Sequence, residues 1–253
     1  MKNFSKPAVL IFAFALLFAA GCKKNNTNSA LLVLNIYPYF GSDSIVPGKN
    51  YATASGDSIS FNRTSFYISN LQLNNTNGTS YADSGYILVT SSGYQNIVAG
   101  SVPTGSYKSI SFSVGISAAV NHIDPGNYTG GPLAAQTPSM HFSTDNLGYI
   151  FMAIEGFADS TNNHLSPNKA FSYHIGADSL LETVNLPDHS VAPYNAAFSA
   201  NGSQVMTINI IADFSQLLKN VNIPANPITN TSDVPVLADT LAAHIPGMFR
   251  YLN

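Results

Sequence analysis

The chain has 253 residues, a formal net charge of −3, and only 9% charged residues against 45% hydrophobic ones. Its 10 Lys and Arg are scattered, with no basic stripe to neutralise phosphates, which argues against nucleic-acid binding. A single cysteine, Cys22, excludes a disulfide framework, so a hydrophobic core must supply the stability, and the length suffices for one large domain.

The first 22 residues, MKNFSKPAVLIFAFALLFAAGC, carry Lys2 and Lys6, an apolar run over 8–20, and small residues before the cysteine. That order reads as a secretion signal. A membrane span would need the apolar run to continue, and KKNNTNS follows instead. Ala19-Ala20-Gly21-Cys22 resembles a bacterial lipobox, which implies that Cys22 becomes the acylated first residue of the mature protein. Acyl chains bury methylenes at about 0.8 kcal/mol each, enough in number to hold a soluble domain at a bilayer. The expected membrane contact is therefore a lipid anchor, and Lys23 after the cysteine points to the outer membrane, on its periplasmic or cell-surface side. Residues 23–30 read as a flexible tether and 31–253 as a single domain.

Strands are predicted over 31–39, 65–73, 86–90, 107–116, 149–157, 171–175, 183–186 and 205–211. The stretch YKSISFSVGI over 107–116 alternates strictly, with Ile110, Phe112, Val114 and Ile116 on one side and small residues on the other. Turn-forming stretches such as NNTNGTS, VPTGS and PDHSVAPYN separate these runs. The expected fold class is all-β, an antiparallel β-sandwich with long loops and one or two short helices. The helices are placed in DFSQLLKNV, with Asp213 or Ser215 as cap, and in VPVLADTLAAHI, with Pro235 near its start and Pro246 ending it. Residues 121–146 form a long connection rich in Gly and Pro, and loops of that length in a domain are usually functional or disordered. Because this one ends in Met140-His141-Phe142 just before an apolar strand, it is read as ordered and functional.

Three segments in order, FSVGISAAVNHIDP, SMHFSTDNLGYIFMAIEG and AFSYHIG, resemble the MbnP family of exported copper-binding proteins. FYISNLQL, VPTGSYKSISF and the tail GMFRYL fit the same pattern. The resemblance implies a β-sandwich that binds a copper ion outside the cytoplasm, in some members through a tryptophan oxidised to kynurenine by a partner diheme peroxidase. This chain has no tryptophan, and Phe142 stands at the first Trp position of the family's Met-x-Trp-x-Trp segment. Kynurenine cannot form here, and the oxidising partner is not needed.

Imidazole suits copper and zinc, and thioether sulfur favours Cu(I). His174 is the first candidate ligand, both by the family match and because Phe171, Tyr173 and Ile175 take the opposite face of its strand. The alternative is a structural histidine bonded to a neighbouring strand or loop. His141 and Met140 lie at the mouth of the 149–157 strand, where adjacent residues of an extended chain face opposite ways. His122, at the loop's other end, is the economical third ligand. Glu155, one of only two glutamates, is read as orienting a ligand histidine or as exposed at a strand end. His164 and His189 fall in polar loops, where solvation is the default, and His244 sits near a helix end.

No nucleophile elbow, His-Glu-x-x-His or phosphate loop is present, so no catalytic step is expected. Asp-Ser/Thr pairs such as Asp159-Ser160-Thr161 resemble an O-glycosylation sequon of exported proteins, with turn chemistry as the alternative. The sequence thus predicts a lipid-anchored copper-binding protein. Its rival is a scaffold that has lost the metal and recognises a protein or glycan through Tyr128, Phe142 and Tyr149.

Overall fold

The computed structural model describes residues 28–54, 57–90, 93–144, 146–161 and 166–252. The signal segment, Cys22 with its acylation, and His164 lie outside the described residues.

In chain order the strands begin β1 (Ser29–Phe40), β2 (Asp43–Ser44), β3 (Asn50–Ala52), β4 (Ser58–Asn75) and β5 (Ser80–Asp83). They continue with β6 (Ile87–Val89), β7 (Gln95–Pro103), β8 (Gly105–Val114), β9 (Met152–Ala158) and β10 (Lys169–Ile175). The last are β11 (Glu182–Asn185), β12 (Phe198–Ala200), β13 (Val205–Asp213), β14 (Ile228–Thr229) and β15 (Phe249–Tyr251). Short helices are α1 (Ala118–Asn121), α2 (Phe214–Leu217) and α3 (Pro235–His244). Asp213 caps α2 by accepting from Ser215 N, and Pro235 opens α3, as the sequence implies.

Two sheets result. One runs β15-β13-β1-β2, with β7 also on β1; the other runs β11-β8-β4-β9-β10-β14, with β3, β5, β6 and β12 attached. The fold is mostly β, but the expected purely antiparallel pairing is corrected: both sheets are mixed. β1 and β13 run parallel over nine residue pairs from Leu31/Val205 to Tyr39/Asp213, and β14 runs parallel to β10. Parallel neighbours far apart in sequence leave no turn signature between them, so periodicity alone could not set their direction. The β7 strand was not predicted. Its alternation is broken at Gly100 (φ +128°), where the pairing with β1 shifts register.

The main core lies between the sheets and takes Leu32, Leu34 and Ile36 of β1, Ile110, Phe112 and Val114 of β8, and Phe171, Tyr173 and Ile175 of β10. The alternation read from the sequence thus holds for β8 and β10. It fails at Ile116, which enters a second cluster with Tyr67, Leu133, Met140, Tyr149, Ile150, Phe151 and Ala153. The break is at Gly115, with φ +124° and so little room that an added Cβ would lie 2.5 Å from Phe151.

This second core sits on the outer face of the larger sheet, beneath the long connection that follows β8. Two sheet tyrosines fix that cover. The Tyr67 hydroxyl donates to the Pro132 carbonyl at 2.9 Å and the Tyr149 hydroxyl to the Leu133 carbonyl at 2.6 Å. The described residues of the connection are thereby held against the sheet and form a third layer over part of it.

Candidate functional site

The functional corner is built where β4, β9 and β10 lie side by side. Register places Arg63 opposite Glu155, and Glu155 opposite Ser172. On the same outward face, His174 follows two residues after Ser172. These positions share one face because β10 buries Phe171, Tyr173 and Ile175 on the other.

Glu155 Oε1 accepts from Arg63 Nη1 at 2.8 Å and lies 2.9 Å from His174 Nε2. Burial pushes the Glu155 carboxyl up, yet the hydrogen bonds from His174 and Arg63, with the Arg63 charge, outweigh it and hold the group below its usual range. His174 Nε2 also meets Ser172 Oγ at 3.2 Å, and Nδ1 meets Asn230 Oδ1 at 3.1 Å. Both ring nitrogens of His174 are thus engaged within the protein. Glu155 contacts His174 from the middle of β9, half-buried.

Arg63 reaches further. Its Nη2 donates to the Ser139 carbonyl at 2.8 Å and to Met140 Sδ at 2.9 Å. Met140 is 2% exposed and belongs to the second core. Its side chain packs there while the sulfur accepts from Arg63.

His141 has a different environment. It forms an isolated antiparallel bridge with Tyr149, and its ring lies edge-on to that tyrosine at 5.1 Å. Its Nδ1 is 2.7 Å from the Phe142 carbonyl. A carbonyl only accepts, so Nδ1 carries the hydrogen, and in the neutral ring the lone pair is on Nε2. Burial pushes the neighbouring Tyr149 phenol up to about 12, so it remains a hydrogen-bond donor at neutral pH.

At the loop's other end, His122 Nε2 lies 3.1 Å from Asp178 Oδ2, and that bond is the chief reason the Asp178 carboxyl sits below its usual range. Adjacent Asn121 is fully buried. Its Nδ2 donates to the Leu147 carbonyl and to Asp178 Oδ1, both at 2.9 Å, and its Oδ1 accepts from Tyr149 N at 2.8 Å. Both roots of the loop are joined through this one amide.

Two adjoining pockets open here. One of about 390 Å³ is lined by Tyr67, Gln136, Ser139, Met140, His141 and Tyr149, among others. The other, about 530 Å³, is lined by His122, Asp124, His141, Phe142 and Asn146, among others. The structure therefore brings His141 and His122 to the wall of one pocket, and His174, Glu155 and Met140 into the network around Arg63. His174 lines neither pocket. Among the described residues no group of three or more His, Cys, Asp or Glu has metal-holding geometry.

His244 ends α3, as expected, whereas His189 differs from expectation. His189 is not simply solvated: its ring stacks on Tyr194 at 4.4 Å and packs against Phe198 and Tyr251. His244 Nδ1 meets the Leu217 carbonyl at the end of α2, 2.9 Å away. Asp159 Oδ1 accepts from Thr161 N and Oγ1, the turn chemistry given as the alternative for that sequon.

Sequence reading missed Arg63 and Asn121 as site residues. The signal for Arg63 was available: it is one of two arginines in the chain and lies between Phe61 and Phe66 in a strand, as Glu155 is one of two glutamates and lies in another. Rare charges inside apolar strands need partners, and they are each other's.

Fold and corner together define a two-sheet β protein whose outer face is roofed by a long, pinned loop carrying histidines. A sequence profile of the family described as MbnP matches residues 29–233. The chain belongs to the MbnP family. Among solved structures it is similar to MbnP from Methylosinus trichosporium, with a TM-score of 0.51 and 12% identity over 76% of this chain and 78% of that one, which supports the shared fold. No curated protein matches the chain.

Proposed function

We propose that the chain is an extracytoplasmic, lipid-anchored copper-binding protein in which His141 is the principal ligand and His122 a second ligand from the same pocket. Membership of the MbnP family supports the copper assignment. The observation that carries the choice of residue is the His141 ring, which lines both pockets and whose Nδ1–H is tied to a backbone carbonyl, so that in the neutral ring the lone pair is on Nε2. That is how metal-binding imidazoles are usually oriented. His122 is held comparably, with Nε2 on Asp178, which leaves Nδ1. Imidazole nitrogens suit copper, and two of them suffice for a two-coordinate Cu(I) ion. With no tryptophan in the chain, the ligand set has to be built from such groups.

The test is a competition titration of the full-length lipoprotein in detergent with Cu(I). One saturable equivalent is expected, weakened at least about tenfold by His141→Ala and less by His122→Ala. Unchanged affinity in His141→Ala refutes the assignment. Cys22→Ser is expected to move the protein from the membrane fraction to the soluble one.

A second reading rests on the aromatic lining of the neighbouring pocket by Tyr67, Phe142 and Tyr149. In that reading the corner is a recognition surface for a protein or glycan, and metal binds only weakly and without fixed stoichiometry.

A further inference from the structure

The side chains around β9 and β10 include a carboxylate, a thioether and an imidazole, the donor types that a copper or zinc ion takes. In this chain the carboxylate and the thioether are joined to one side chain, and the imidazole to the carboxylate. Arg63 Nη1 binds Glu155 Oε1, the same oxygen that faces His174 Nε2, and Arg63 Nη2 binds Met140 Sδ and the Ser139 carbonyl. The guanidinium is not a surface group that drifted inward. It is placed by the β4–β9 register opposite Glu155, its residue is 7% exposed, and its Nε is buried without a hydrogen-bond partner among the described residues.

We propose that Arg63 is the resident cation of this corner, its guanidinium holding together Glu155, Met140 and, through Glu155, His174, so that these donors are closed to a metal ion. The proposal stands apart from the copper reading of the His141 pocket, since it concerns a different set of ring nitrogens.

Three physical arguments support it. A guanidinium remains charged throughout the accessible pH range, so no change of pH vacates the place. A metal ion entering beside it would bring a second positive charge next to a fixed one in a site of reduced dielectric. Whichever ring nitrogen of His174 were to coordinate, it would first have to give up a partner, Glu155 at Nε2 or Asn230 at Nδ1.

The consequence is structural. Arg63 ties the 138–140 segment to the sheet with no ion present, doing for the loop what a bound metal would otherwise do.

The test uses the full-length lipoprotein in detergent, Zn(II) and Cu(I) alone as probes, and ¹⁵N-labelled histidine. In the wild type the His174 ring nitrogens are expected to keep their shifts on metal addition, and His174→Ala to leave the number of bound ions unchanged. Arg63→Met is expected to gain one further equivalent, lost again in Arg63→Met/His174→Ala. Loss of a bound ion from the wild type on His174→Ala, a selective shift of the His174 nitrogens, or a folded Arg63→Met protein that gains nothing overturns the proposal. Should Arg63→Met fail to fold, the two wild-type measurements decide it. Failure of the copper reading shows separately, as an unaltered affinity in His141→Ala.

Discussion

Replacing Asn121 with Ala should detach the loop from its root. The wild-type amide makes three hydrogen bonds: to the Leu147 carbonyl, to Asp178 and from Tyr149 N. The Asp178 side chain is 43% exposed and can turn to water at little cost, and the bond to the Leu147 carbonyl is only partly buried. Tyr149 N has no such escape, because Tyr149 is 1% exposed and Asn121 itself is 0% exposed. An orphaned buried N–H costs about 1–3 kcal/mol. The space left by the missing amide adds to that, so a loss of about 2–4 kcal/mol is expected. Urea unfolding at constant m-value measures it, and hydrogen exchange at the Tyr149 amide localises it. Asn121→Asp sharpens the test. It keeps an acceptor for Tyr149 N but sets a second carboxylate beside Asp178, which raises the pKa of one of the pair. A carboxylate whose folded pKa is raised destabilises the fold above its unfolded value, so Asn121→Asp should recover relative to wild type as pH falls from 7 towards about 4. A loss in Asn121→Ala below about 0.5 kcal/mol, or an unprotected Tyr149 amide already in the wild type, would refute the reasoning.

Two more predictions follow from the same corner. Glu155 is held below its ordinary value of 4.5 in the folded protein, so its contribution is present above that value and lost as pH falls beneath it. Glu155→Gln should flatten the acid side of the stability profile below pH 4.5, and an unaltered profile counts against the Arg63–Glu155–His174 network. Gly148 has φ +82°, and a Cβ there would lie 2.2 Å from the Asn121 carbonyl oxygen. Gly148→Ala should therefore cost about 2 kcal/mol or more, while Gly130→Ala, with nothing within 4 Å, serves as the control and should change stability little in thermal unfolding.

The elements most legible in the sequence were those with one face buried between the sheets. Ile110, Phe112 and Val114 on β8, and Phe171, Tyr173 and Ile175 on β10, show their period of two because the opposite face is polar or small. β4 was read from residue 65 onward, yet it starts at Ser58. Arg63 and the bulge between Phe61 and Arg63 interrupt the alternation, and a charge inside a strand reads locally as an end. The pairing partner that makes Arg63 tolerable lies 92 residues away, beyond the reach of any local pattern. The same holds for the site. Sequence order put His141 beside Met140 and both near His174 by family analogy, but which histidine faces a pocket depends on where Arg63 and Asn121 fasten the loop.

Those fastenings bear on how the pocket works. The loop is held at its root by Asn121, at its middle by the Tyr67 and Tyr149 hydroxyls, and beside its histidine by Arg63. None of these contacts involves His141 Nε2. A ligand arriving there need not order the segment that binds it, so the entropy of fixing the loop is already met by internal hydrogen bonds. In a chain without tryptophan this matters. Under the proposed copper reading no kynurenine is available to strengthen coordination, and the affinity would come from rings held still in advance. Arg63 supplies that stillness next to His141, and in doing so commits Met140 and His174 to the framework.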